Sequence, residues 1–222
     1  MGSITSLTAA DGHSFDAYRV GPQGMPKASV VVIQEIFGAN SHIREVADTY
    51  AAEGYDVIAP ALFDRVKKHV ELGYEGDDVA AGRKIRGNIS WDDALKDVNA
   101  AIAAIRGTGK VGVIGYCWGG SLAWLTATRL RADAAICYYG GQVPDFSAEK
   151  PGCPTMLHFG ELDSSISLEG VETVRNQNPD LPLFIYKGAG HGFNCDHRSS
   201  YNAKCAAQAR QRSLAFFAEN IG

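Results

Sequence analysis

What most restricts the fold of this chain is an alternation. Short apolar runs bounded by Gly or Pro give way repeatedly to segments with helical spacing. Ala28–Gln34 is an apolar run of the kind found in a strand covered on both faces. Ser41–Glu53 then places Ile43, Val46, Ala47, Tyr50 and Ala51 on one helical face, with Gly54 where a C-terminal cap belongs. Tyr55–Ala59 reads as a second buried strand, stopped by Pro60. Ser90 can cap an amphipathic helix that has Asp93 in the capping-box position and ends at Gly107. Four more strands are expected at Lys110–Gly115, Asp133–Tyr139, Pro154–Phe159 and Leu181–Lys187. Helices are expected near Gly119–Leu130, Ser167–Gln177 and Tyr201–Glu219. This order predicts an α/β fold over 1–222, a single domain with a mostly parallel sheet and helices on both faces. An antiparallel hairpin precedes it, Ser3–Thr8 and Ser14–Val20, separated at Asp11-Gly12. Between residues 61 and 90 the pattern is irregular, with a short helix expected near Asp77–Arg86.

Composition removes several functional classes. With 222 residues, 45% of them apolar and 21% charged, the chain can bury a sizeable core and does not read as disordered. A net charge of −4 argues against binding nucleic acid through its phosphates. Five cysteines, an odd number without a Cys-x-x-Cys pair, suit neither a disulfide framework nor a zinc ribbon. They point to a reducing, cytoplasmic setting. The N-terminal residues lack the basic start and long apolar run of a secretory signal, and stretches such as Val30–Ile33 are too short for a bilayer. Met1–Ser6 fits the loose myristoylation pattern, but Ile4 and Leu7 read as strand residues. No membrane partner is therefore expected, and the chain should be a monomer or small homo-oligomer. Spacing along the sequence gives no metal-ligand cluster, phosphate loop or cofactor motif, so neither metal nor cofactor is expected. The 25 glycines suggest many tight turns or close backbone approaches.

In parallel sheets, sites form beyond the carboxyl ends of the strands. Gly115-Tyr116-Cys117-Trp118-Gly119-Gly120 lies between an expected strand and an expected helix. This is the Gly-x-nucleophile-x-Gly elbow with cysteine in the serine position. The helix that follows offers its positive end to a thiolate and a developing oxyanion. An acid and a histidine follow in the order such an elbow requires. Asp163 stands just past the strand Pro154–Phe159, and His191 stands between Gly190 and Gly192 past the last strand. Glu161 and Asp145 compete with Asp163, and His197 with His191. His158 reads as a core residue, and His13, His42 and His69 as surface groups. Glu35 follows the first apolar strand, where it is either a solvated loop charge or a buried group handling the thiol proton. The amides of Ile36 and Trp118 are the expected oxyanion-hole donors. A protein using Cys117 only for redox sensing or binding would have no need of the ordered acid and histidine.

Five segments carry a family resemblance: Gln34-Glu35-Ile36-Phe37-Gly38, Gly115–Gly120, Tyr138-Tyr139-Gly140, Gly160-Glu161-Leu162-Asp163 and Gly190-His191-Gly192-Phe193. Together they resemble the dienelactone hydrolase (carboxymethylenebutenolidase) family of α/β-hydrolases. The resemblance implies hydrolysis of a small carboxylated enol-lactone, as in aromatic degradation, by Cys117, His191 and Asp163 through a thioester. It implies that Glu35 takes the thiol proton when substrate displaces the resting contact. It also implies arginines that meet the substrate carboxylate, with Arg198 as one and Arg83 or Arg86 as another. Tyr138 and Phe37 match pocket-lining positions. A broader carboxylesterase or thioesterase using the same three residues is the alternative.

Overall fold

All eight strands marked by the sequence form in the computed structural model, which describes residues 2–222. They are β1 (Ser3–Thr8), β2 (Ser14–Val20), β3 (Ala28–Ile33), β4 (Tyr55–Pro60), β5 (Val111–Tyr116), β6 (Ala134–Tyr138), β7 (Thr155–Gly160) and β8 (Leu183–Tyr186). One sheet joins them in the order β1-β2-β4-β3-β5-β6-β7-β8. β1 and β2 form the expected antiparallel hairpin, and β2 also runs antiparallel to β4. From β4 to β8 every pairing is parallel. β3 through β7 are buried along their whole length, as their unbroken apolar runs require. β8 begins two residues later than expected, because Pro182 has no N–H to give the ladder, although its carbonyl accepts from Leu157.

The helices are α1 (Ser41–Ala52), α2 (Gly76–Arg86), α3 (Trp91–Ile105), α4 (Trp118–Arg129), α5 (Val143–Phe146), α6 (Leu168–Gln177) and α7 (Ala203–Asn220). Four of them, α1, α3, α6 and α7, start where a polar side chain satisfies one of the first amides. Asn40 accepts from Ile43, Ser90 from Asp93, Ser167 from Gly170 and Asn202 from Cys205. The cap of α1 is thus Asn40, one residue before the helical segment marked by the sequence. The sequence pattern does not show α5, a single turn, or the 3-10 turn at Leu62–Arg65.

The sheet is covered on both sides. A Cβ at Gly112 would point at Phe217 and Ile221 beyond the sheet, whereas one at Gly115 would strike the backbone of Gly119 in α4. Residues 112 and 115 of one strand face opposite ways, so α7 and α4 lie on opposite faces. α1 joins α7, with the Tyr50 and Phe217 rings 6.0 Å apart, and α3 packs beside α4.

Candidate active site

The carboxyl ends of β3, β5, β7 and β8 converge on one cavity of about 630 Å³. At the end of β5, Cys117 has φ 55° and ψ −116°, a strained left-handed backbone for a residue with a Cβ. Its amide donates to the Tyr138 carbonyl at 3.0 Å and its carbonyl accepts from Gly120 at 2.9 Å, which hold the turn. A side chain at Gly115 would overlap the Gly119 carbonyl, and one at Gly119 would overlap the carbonyls of Ile33 and Gln34. The two glycines let the strand, the turn and α4 approach closely enough to push Cys117 into the cavity.

Asp163 and His191 approach from the next strand ends. The His191 Nδ1 hydrogen donates to Asp163 Oδ2 at 2.8 Å, and Asp163 Oδ1 accepts from the Ser165 amide at 2.8 Å. Of the two competing carboxylates in that loop, Glu161 instead accepts from the Gly188 amide. The imidazole packs against the Tyr139 ring at 5.2 Å and lines the cavity with Cys117. Burial works against a charge on His191. The Cys117 sulfur and the Asp163 carboxylate outweigh it and push His191 up to about 10. Ile36 and Trp118 line the same cavity. Trp118 is the first residue of α4, so its N–H is among those at a helix start that have no intrahelical acceptor.

Glu35 lies behind this cavity, only 1% exposed. It is not the solvated loop charge that the sequence left open. Arg198 donates from Nη1 to Glu35 Oε1 at 3.0 Å, while Oε2 is buried without a hydrogen-bond partner among the described residues. Gln34 fixes this loop by accepting from the Leu62 amide and donating to the Glu35 carbonyl. Arg83, Arg86, Arg198 and Phe37 all line the cavity. The Arg86 guanidinium sits over the Trp91 ring at 4.4 Å, and Arg198 lies over Phe37 at 5.5 Å.

Some expectations need correction. Tyr138 does not line this cavity. It is the last residue of β6, and its hydroxyl turns to the other side of the sheet, 2.7 Å from Ser213 in α7. The neighbouring Tyr139 takes the place against His191, a role the motif alone does not separate from that of Tyr138. His42 is buried rather than a surface group, with its Nδ1 3.3 Å from Asp196. His197, the alternative base, donates to Glu45 at 2.9 Å. His158 is the expected core residue, bonded to Tyr186 and Ser213. Sequence spacing also misses that the fold gathers ligand atoms of His42, Glu45, Asp196 and His197 within 4.8 Å of one another. Tyr74, whose ring is 4.5 Å from Phe37, lines the cavity from a segment without regular pattern.

The model of the dienelactone hydrolase family matches residues 15–221. The chain belongs to that family. It is 31% identical to a carboxymethylenebutenolidase of Pseudomonas putida over 96% of this chain and 94% of the relative. A Synechocystis protein provisionally named carboxymethylenebutenolidase is 38% identical, over 85% of this chain and 84% of its own. A crystal structure from Klebsiella pneumoniae, provisionally named a dienelactone hydrolase, superposes with a TM-score of 0.85. That match has 28% identity and covers 98% of this chain and 99% of the other. The architecture is therefore the α/β-hydrolase fold, and the chain is a carboxylic ester hydrolase resembling the carboxymethylenebutenolidases. Among the described residues no helix is long and apolar enough to cross a membrane.

Proposed function

We propose that this hydrolase opens a small carboxylated enol-lactone, of the dienelactone-to-maleylacetate type, with Cys117 as nucleophile. The observation that carries this reading is the meeting of Cys117 and the His191–Asp163 pair in one cavity with Arg83, Arg86 and Arg198. A substrate carboxylate competes with Glu35 for Arg198, and the released Glu35 takes the thiol proton. The Cys117 thiolate attacks the lactone carbonyl, and the amides of Ile36 and Trp118 receive the oxyanion. The ring C–O bond breaks, and the enolate, a stable anion still tethered through the thioester, takes the imidazolium proton of His191 and leaves that ring neutral. His191 then takes a proton from water, the water oxygen attacks the thioester, and the C–S bond breaks to return the thiolate. Asp163 holds the imidazole in the tautomer this requires.

A broader carboxylesterase or thioesterase remains a second reading, favoured by a cavity of about 630 Å³ that has room for more than a small lactone. All five cysteines are free, which supports a reducing, cytoplasmic setting. A panel of carboxylated lactones, neutral lactones and aryl esters, with intact-mass detection of the acyl adduct, separates the readings. A preference for the carboxylated lactone and an adduct on Cys117 are expected. Indifference to the carboxylate selects the broader esterase, and turnover retained in Cys117→Ala overturns the nucleophile.

A further inference from the structure

Beside the active-site cavity lies a second group of side chains that the hydrolytic chemistry does not use. His42 and Glu45 project from consecutive turns near the start of α1, while Asp196 and His197 lie in the loop between His191 and α7. One ligand atom from each of the four falls within 4.8 Å of the others. His42 Nδ1 is 3.3 Å from Asp196 Oδ1, His197 Nε2 is 2.9 Å from Glu45 Oε2, and His197 Nε2 is 4.0 Å from Asp196 Oδ1. Ligands about 2.1 Å from a tetrahedral zinc ion stand roughly 3.4 Å from one another. These three separations bracket that edge length, so small side-chain adjustments would close the shell.

We infer that His42, Glu45, Asp196 and His197 form a binding site for one divalent transition-metal cation of the zinc class, clipping α1 to the loop that follows His191.

The donor chemistry selects that class. Two imidazoles suit zinc, cobalt or nickel, whereas magnesium and calcium take oxygen ligands. Two carboxylates balance the charge of a divalent ion. The site is reachable: His42, Glu45 and Asp196 border a cavity of about 390 Å³, and the His197 side chain is 35% exposed. A rival grouping, Glu35, His42 and Cys195, is buried and shares His42. It suits a cation poorly, because Glu35 is already paired with the Arg198 guanidinium, whose charge would repel the ion. An ion in the outer site joins elements whose ligands Glu45 and His197 are 152 residues apart in sequence. It fixes the position of His197, the neighbour of Arg198, whatever substrate the Cys117 cavity accepts.

Cobalt(II) chloride titrated into the untagged, metal-free protein tests this, read by equilibrium dialysis and absorption spectroscopy. One ion per chain should bind without the near-ultraviolet thiolate-to-cobalt charge-transfer band, zinc should displace it, and magnesium should not. The double variant Glu45→Gln/His197→Ala, with its metal-free fold checked by circular dichroism, should lose tenfold or more in affinity, at least the order seen when metal-site shells are disturbed (about 10–100-fold). Cys195→Ser and Cys117→Ser should keep full affinity. No saturable binding, a thiolate band, unchanged affinity in the double variant, or loss in a cysteine variant each overturns the site.

Discussion

Arg198 reaches across 163 positions of sequence to place Nη1 3.0 Å from Oε1 of Glu35, a carboxylate that the fold has almost completely removed from water. The pair links the loop after His191 to the end of β3. Removing one partner strands the other charge, and that is where the energetic cost lies. Arg198→Met is expected to lower stability by about 3–5 kcal/mol, the scale for breaking a buried ion pair. Adding Glu35→Gln should recover part of the loss. Urea unfolding of both single variants and the double variant measures the coupling. Additive losses would mean that the two groups stabilise the fold independently.

Much of this site is legible in the sequence because it occupies strand ends, and the strand ends are punctuated. Gly115, Gly119, Gly190 and Gly192 frame Cys117 and His191, and Asp163 follows a run that only a buried strand explains. What remained illegible depends on side-chain direction. Tyr138 is the last residue of β6, whereas Tyr139 lies just beyond it with a left-handed φ of 37°, a turn of the backbone that redirects its side chain. A shift of one residue therefore exchanges a core hydroxyl bonded to Ser213 for a ring against His191. His42 looks like an ordinary polar helix residue. Its burial comes from the loop carrying Asp196 and His197, far along the chain, and nothing in its local spacing announces that cover. Single-turn elements such as α5 fall below the length at which periodicity can be read.

The charge state of His191 should be visible directly. Burial opposes its charge, yet Cys117 and Asp163 raise it to about 10 from an ordinary 6.5. A raised histidine stabilises the fold fully below its unfolded value and loses that contribution as pH climbs from about 6.5 through about 10. NMR titration of the imidazole should report a midpoint far above that of a free histidine. Cys117→Ser, which removes the sulfur, should bring it down. An unchanged midpoint in that variant would remove Cys117 as a cause of the shift.

Arg83 differs from its two companions in the cavity. Arg86 is stacked over Trp91 and Arg198 is paired with Glu35, whereas the Arg83 guanidinium makes no ion pair among the described residues. It is the cation most available to a substrate carboxylate. A charge-assisted hydrogen bond contributes about 1.5–3 kcal/mol. Arg83→Gln should therefore raise KM for a carboxylated lactone roughly 10–100-fold and leave KM for a neutral aryl ester nearly unchanged. Equal effects on both substrates would place Arg83 outside carboxylate recognition.

On the far face of the sheet, His158 behaves oppositely to His191. It is fully buried between the Tyr186 hydroxyl at 2.8 Å and Ser213 Oγ at 3.2 Å, and Ser213 in turn meets the Tyr138 hydroxyl. Burial, helped by the charge of Arg212, pushes its pKa down to about 3. Below about 6.5 the unfolded chain takes up a proton that native His158 refuses. Stability from this residue is therefore intact above that value and falls as pH drops toward about 3. Its slope approaches one proton, about 1.4 kcal/mol per pH unit. His158→Asn will cost stability at every pH through the disturbed hydrogen bonds, so the informative quantity is the slope. Unfolding free energies measured between pH 6.5 and 4 should fall less steeply with acidification in the variant by up to one proton's worth. Parallel slopes would show that acid sensitivity arises elsewhere in the molecule.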